Sequence, residues 1–120
     1  MGAEEAAGAE EEAPGDRSRE SEGREPVIAV IARYRALEGR ADEVAAELAP
    51  YADIVRQETG CVTFDINRSL DDDHDFVLYE VYTDQEALDA HRESEHFAAI
   101  AMGRIVPMLA DRQVTVATRL

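Results

Sequence analysis

Seven consecutive residues, Phe76-Val77-Leu78-Tyr79-Glu80-Val81-Tyr82, restrict the fold more than any other stretch of the chain. They are β formers, and successive side chains of a strand point to opposite faces. Here both faces are apolar: Phe76, Leu78 and Tyr82 point one way, Val77, Tyr79 and Val81 the other. An antiparallel sheet with helices on one face leaves the other to water, and its strands are then polar on that side. This strand is not, and Val27 to Ala32 opens with the same two-sided character. The simplest cover for the second face is another sheet, from an identical chain in a two-fold dimer. The alternative is an exposed apolar patch, which monomers tolerate up to a few hundred Å².

The rest of the pattern supplies that sheet. Val27 to Tyr34 reads as a first strand, and Gly39 breaks it. Ala41, Val44, Ala45, Leu48, Ala52 and Val55 recur at helical spacing, predicting a helix bent or broken at Pro50 and ended by Thr59-Gly60. Cys61 to Leu70 alternates as a second strand, Asp71 to Asp75 is a polar turn, and Phe76 to Tyr82 closes a hairpin. Thr83-Asp84-Gln85-Glu86 matches a capping box, with Thr83 as N-cap of a short helix carrying Ala87, Leu88 and His91 on one side. Ser94 can cap a further helix with Phe97, Ile100, Ala101, Ile105 and Met108 inward, and Val114 to Thr118 is the last strand. The order is that of an α+β, ferredoxin-like βαββαβ fold: a four-stranded antiparallel sheet with helices on one face.

Residues 1–26 are different in kind. Nine acidic residues stand there against Arg17, Arg19 and Arg24, with no aromatic or β-branched side chain to build a core, so a disordered acidic tail is expected before a folded domain at 27–120. The whole chain has 27 acidic and 12 basic residues, a net charge of −15. Nucleic acids and anionic membranes present the same sign of charge, so neither is an expected partner. A single cysteine, Cys61, allows no intrachain disulfide, and the N-terminus lacks the basic and apolar regions of a secretory signal, so a cytoplasmic location is expected.

Several chemistries are not encoded. There is no glycine-rich phosphate loop and no Gly-x-Ser-x-Gly elbow. Asp71, Asp73 and Asp75 start like a calcium loop, but Phe76 replaces the required glycine and Tyr82 the bidentate glutamate. His91 and His96 are five apart, off the i, i+4 spacing of a zinc-binding helix, so no metal is expected. Cys61 reads as core. What remains is Glu80, on the Phe76/Leu78/Tyr82 side of an apolar strand, where a carboxylate must be paired or protonated. His91, on the inward side of the next helix, is within plausible reach, and such a pair suits general-base work near neutral pH. A purely structural Glu80–His91 or Glu80–Arg68 bond, pinning helix to sheet, accounts for the same residues.

Gly60-Cys61, Asn67-Arg68-Ser69-Leu70-Asp71-Asp72, Phe76-Val77-Leu78-Tyr79-Glu80-x-Tyr82, Ala87-Leu88-Asp89-Ala90-His91 and His96-Phe97 together resemble the antibiotic biosynthesis monooxygenase (quinol monooxygenase-like) family. The resemblance spans 27 to about 118. It implies a dimeric α/β barrel, and a homodimer that takes a small aromatic substrate, an anthrone or quinol, and O₂, with no cofactor. The deprotonated substrate itself reduces O₂, and the protein supplies base, cavity and hydrogen bonds. Carried over by position, His91 is the base or a substrate hydrogen-bonder and Glu80 orients it, while Asn67, Tyr82, His96 and Phe97 line or close the pocket. The motif usually has tryptophan where Tyr82 stands, which weighs against the haem-degrading members. Isomerases and members without known activity share the fold, so the alternatives are a non-catalytic dimeric ligand-binding or stress-response module, or a related isomerase or haem-degrading enzyme, which His91 keeps open.

Overall fold

The computed structural model describes residues 27–120, and the acidic segment 1–26, with its expected disorder, lies outside them. The strands are β1 (Ile28–Ala36), β2 (Cys61–Arg68), β3 (Asp75–Tyr82) and β4 (Leu109–Thr118), all paired antiparallel in the order β2-β3-β1-β4. The two strands with apolar residues on both sides, β1 and β3, hold the central positions. This is the α+β, ferredoxin-like arrangement. β4 begins at Leu109 rather than at Val114; its polar first half, Ala110 to Gln113, lacks the apolar alternation by which strands are read.

Helix α1 (Ala41–Val55) crosses the inner face of the sheet and buries Val44, Leu48, Tyr51, Ala52 and Val55. Against them pack Ala32, Tyr34, Phe64, Phe76 and Leu78, each fully buried aliphatic contributing about 1.5–3 kcal/mol. Pro50 neither breaks nor ends α1, which runs on to Val55. A proline inside a helix forfeits a hydrogen bond and crowds the preceding turn, and here the flanking Leu48 and Tyr51 are held in the core. Helix α2 (Gln85–Arg92) is capped by Asp84, whose carboxylate accepts from the Ala87 N–H at 2.8 Å. The N-cap is thus one residue beyond Thr83, whose own N–H donates to the Gly60 carbonyl. After it comes a π-helix, Phe97–Ile105, and a 3₁₀ turn, Val106–Met108. Ser94 does cap this segment, accepting from the Phe97 N–H at 3.2 Å.

On the outer face, Ile31 and Val77 are half-buried and Tyr79 is exposed, beside Arg33 and Arg35. Val114 and Val116 share the inner face with Ala32 and Val30 through the β1–β4 register, yet they stay exposed on the edge strand. Among the described residues no helix is long and apolar enough to cross a membrane.

Candidate active site

The site is assembled where α2 meets the start of β2. Gly60 makes the approach possible: a Cβ on it would lie 2.3 Å from the Cβ of Ala87 and 3.4 Å from its Cα. Any side chain there would push α2 off the sheet. With α2 seated, its last turn carries His91 inward, 4% exposed.

His91 meets a carboxylate, but not the one the sequence suggested. Its Nδ1 lies 2.9 Å from Glu58 Oε2, in the turn that follows α1. Nδ1 therefore donates, and Nε2 is left as the acceptor. Nε2 faces the Tyr51 hydroxyl at 3.5 Å, a contact at the limit of a hydrogen bond. His96 Nε2 reaches the same Glu58 oxygen at 2.5 Å. Burial holds the His91 imidazolium pKa below its usual value, and the bond to Glu58 opposes that shift. Burial also pushes the Tyr51 phenol far up, so it stays a neutral donor.

Glu80 has a different partner. Its carboxylate accepts from the Tyr82 hydroxyl at 2.8 Å, two residues along the same face of β3. At 6% exposure, burial raises its pKa to about 7, against the lowering effects of Tyr82, Arg92 and Arg112. The expected Glu80–His91 bond is replaced by Glu58–His91 and Tyr82–Glu80. The alternative Glu80–Arg68 bond is absent too, since Arg68 pairs with Asp42 at 3.0 Å.

Glu80, His91, Tyr51, Phe97, Arg92 and Arg112 surround one small apolar cavity floored by Val30, Ala32, Phe64, Leu78 and Leu88. Its solvent volume is ≈ 30 Å³, about one water's share of the liquid. The Arg112 guanidinium lies 6.0 Å over the ring of Tyr34, another wall residue. Of the residues singled out from sequence, His91, Glu80 and Phe97 line this cavity. Tyr82 is buried behind it, its ring 5.3 Å from that of His91. His96 sits on the far side of His91, bonded to Glu58. Asn67 does not line this cavity: it shares the outer face with Val77 and donates to the Val77 carbonyl at 3.1 Å. Its position, one residue out of phase with Phe64 and Ile66, already turns it away. Cys61 is half-buried beside both apolar clusters, with its thiol pushed up to about 11 by burial, as suits a core residue.

Glu58, Tyr51, Arg92 and Arg112 carry no site signal in the sequence. Glu58 lies 33 residues from His91, in a loop with no motif, and only the tertiary fold brings them together. Tyr51 is buried on the inward face of α1 with Leu48 and Val55, where an aromatic side chain carries no signal of a site.

The antibiotic biosynthesis monooxygenase family model matches residues 27–102. Among solved structures, a Mycobacterium tuberculosis protein is 32% identical, with 78% of this chain and 95% of that one covered at a TM-score of 0.72. A Pseudomonas aeruginosa protein is 28% identical over 79% and 95% of the two chains, at a TM-score of 0.73. A structure described as an antibiotic biosynthesis monooxygenase is 26% identical over 78% and 98%, at 0.72. Among curated proteins none matches.

Proposed function

Because the chain belongs to the antibiotic biosynthesis monooxygenase family, we propose that it is a cofactor-independent monooxygenase acting on a quinol, an anthrone or a similar aromatic substrate with O₂. The observation that carries this reading is the Glu58–His91 pair behind the cavity. Glu58 fixes the tautomer and leaves the Nε2 lone pair aimed at Tyr51 and the cavity, the arrangement of a general base with its orienting carboxylate.

The chemistry then balances without a further reductant. His91 Nε2 takes a proton from an activated C–H or phenol. For an anthrone, the carbanion transfers an electron to O₂, and the two radicals combine to a carbon-bound peroxide. Loss of water across the C–H and O–O bonds leaves a carbonyl: one oxygen atom enters the product, the other leaves as water, and the substrate is the electron donor. Arg92 and Arg112, both at the cavity wall, stabilise the anion as it forms, which is where fixed positive charge lowers a barrier. Glu80 with its Tyr82 partner serves as a hydrogen-bonding wall rather than as the orienter of the base. Phe97, on the π-helix, closes the pocket.

We further propose that the working form is a homodimer. The exposed Tyr79 on one face and Val114 and Val116 on the other side of the edge strand are covered by a second copy, forming a dimeric α/β barrel in the cytoplasm, where a lone thiol stays reduced. Sedimentation at micromolar concentration showing only a 13.3 kDa species would contradict it.

The direct test is oxygen uptake by chelator-treated protein with a panel of anthrones and hydroquinones, beside His91→Ala. Uptake that survives chelation and falls by about 10²–10⁴-fold in the variant, the usual contribution of a general base, supports the reading. A second reading, a dimeric ligand-binding module, is favoured by the ≈ 30 Å³ cavity, which admits no aromatic ring unless Phe97 or an arginine moves. Uptake no faster than autoxidation, together with saturable ligand binding, selects it.

A further inference from the structure

We propose that Glu58, His91 and His96 form a binding site for a divalent transition-metal ion of the zinc class, and that its occupancy switches the base off. The second half rests on His91 being the base proposed above; the first half does not.

The donor set is suited to such an ion. One carboxylate oxygen and two imidazole nitrogens, Glu58 Oε2, His91 Nδ1 and His96 Nε2, all lie within 4.8 Å of one another. Zinc takes these donors at about 2.0–2.2 Å in tetrahedral geometry, which places them about 3.4 Å apart. The present separations from Glu58, 2.9 Å to His91 and 2.5 Å to His96, are those of N–H donors closing on an oxygen. An ion that replaces those two hydrogens needs each nitrogen to part from Glu58 Oε2 by under about 1 Å.

Each donor is carried on anchored backbone. The Glu58 N–H donates to Val55 and its carbonyl accepts from Cys61. The His91 carbonyl accepts from the Ser94 hydroxyl at 2.6 Å, and His96 directly precedes the π-helix. The side chains of Glu58 and His96 are 17% and 22% exposed and that of His91 4%, leaving a solvent path on the His96 side. The other acidic–histidine group, Asp72, Asp73 and His74, is accounted for without an ion, since Asp72 is held by Arg35 and by the His74 N–H in its own turn.

The location separates this site from the reaction chamber. His91 Nε2 faces the cavity wall at Tyr51, whereas Nδ1 faces Glu58. Neither Glu58 nor His96 lines the cavity, so an ion among the three does not touch a substrate held there. It acts through the ring. With Glu58 as its partner, Nδ1 carries the His91 proton and Nε2 is free to accept. Metal on Nδ1 requires that nitrogen deprotonated, and the neutral ring then carries its proton on Nε2. His96 moves its proton to Nδ1 in the same way, so no proton is lost overall from the two neutral rings. With Nε2 protonated, His91 can donate to Tyr51 or to a substrate but can no longer take a proton.

The experiment uses full-length, tag-free, metal-stripped protein. Calorimetric titration with zinc sulfate is expected to give one ion per chain, and cobalt(II) a visible spectrum of four-coordinate type. Glu58→Gln and His96→Ala, both checked as folded by circular dichroism, are expected to weaken binding by more than the about 10–100-fold typical of losing an outer-shell partner. His96→Asn repeats the test with a polar side chain of smaller volume change. Long-range proton–nitrogen NMR should show the His91 proton move from Nδ1 to Nε2 as zinc is added, which needs no substrate. In the oxygen-uptake assay, zinc inhibits wild type and chelator restores it, and the zinc sensitivity falls in His96→Ala whatever that variant's own rate. No saturable binding, or binding unchanged in all the variants, overturns the site. Binding that leaves the His91 proton on Nδ1 overturns the switch. Failure to find any turnover, with the proton shift observed, overturns the proposed reaction and leaves the site standing.

Discussion

Glu80→Gln should stabilise this protein at pH 8 and not at pH 4.5. Glu80 has a pKa of about 7 in the folded chain, raised by burial from 4.5. A folded-state pKa above the unfolded one means that the fold prefers the protonated acid. Below pH 4.5 both states hold the proton and nothing is lost. Between 4.5 and 7 the unfolded chain releases it while the folded chain keeps it, so stability falls as pH rises. Above 7 both are ionised and the loss stays constant. At 1.36 kcal/mol per pH unit, the gap of about 2.5 between these values is worth about 3 kcal/mol. Desolvation sets the sign: it outweighs the Tyr82 hydroxyl, Arg92 and Arg112, which favour the carboxylate, and Glu58 acts in the same direction as burial. The amide that replaces the carboxylate in the variant is neutral at every pH and can still accept from Tyr82. The gain of the variant over wild type should therefore grow by about 3 kcal/mol from pH 4.5 to pH 8, shifting the urea midpoint by roughly 1–3 M at ordinary slopes. Chain concentration is held fixed, because a dimer's stability depends on it. Comparing the difference at two pH values cancels every titrating group that is not coupled to Glu80. A difference between the proteins that is the same at both pH values would refute the reasoning.

Three more outcomes follow from the packing and caps. Tyr82→Phe removes the hydroxyl that holds the Glu80 pKa down, so the fall in stability with pH should extend to higher pH, read from the same urea curves. Asp84→Ala deletes the N-cap of α2 and should cost about 1 kcal/mol in denaturant unfolding, while Thr83→Ala should cost less, because Thr83 is not the cap. Gly60→Ala puts a methyl 2.3 Å from the Ala87 Cβ, an overpacking that should cost at least about 1–3 kcal/mol; the added Gly60→Ala/Ala87→Gly exchange should recover most of it.

The fold was legible where side-chain period and burial agree, and less so where they part. β1 and β3 declare themselves because both faces carry β formers, and α1 because its stripe keeps a helical repeat even through Pro50. The polar start of β4 could not be read: Asp111, Arg112 and Gln113 are exposed on an edge strand, so no buried face imposes alternation. Spacing also placed a helix at Phe97 to Met108 without revealing its π form, since Phe97, Ala101 and Ile105 recur every four residues in a pattern that an α-helix would satisfy as well.

The site divides along the same physical line. His91, Glu80 and Phe97 were found because each is anomalous or apolar on a face the periodicity had assigned to the interior. Asn67 lies off the cavity because the alternation of its strand turns that residue outward. Glu58 could not be found, since a glutamate in a polar turn is ordinary until the fold closes α2 against β2. That closure depends on Gly60, the one position there too small to keep the helix away. The glycine that the motif records and the carboxylate two residues before it that no motif records are thus parts of one device: the first lets α2 approach, and the second receives the imidazole that α2 brings. It follows that Gly60→Ala should disturb the Glu58–His91 bond as well as stability, and that the Ala87→Gly exchange should restore both together. NMR of the His91 ring nitrogens in the two variants would decide it: recovery of stability with the Nδ1–H signature still lost would show that the two functions of this contact are separable, contrary to the geometry.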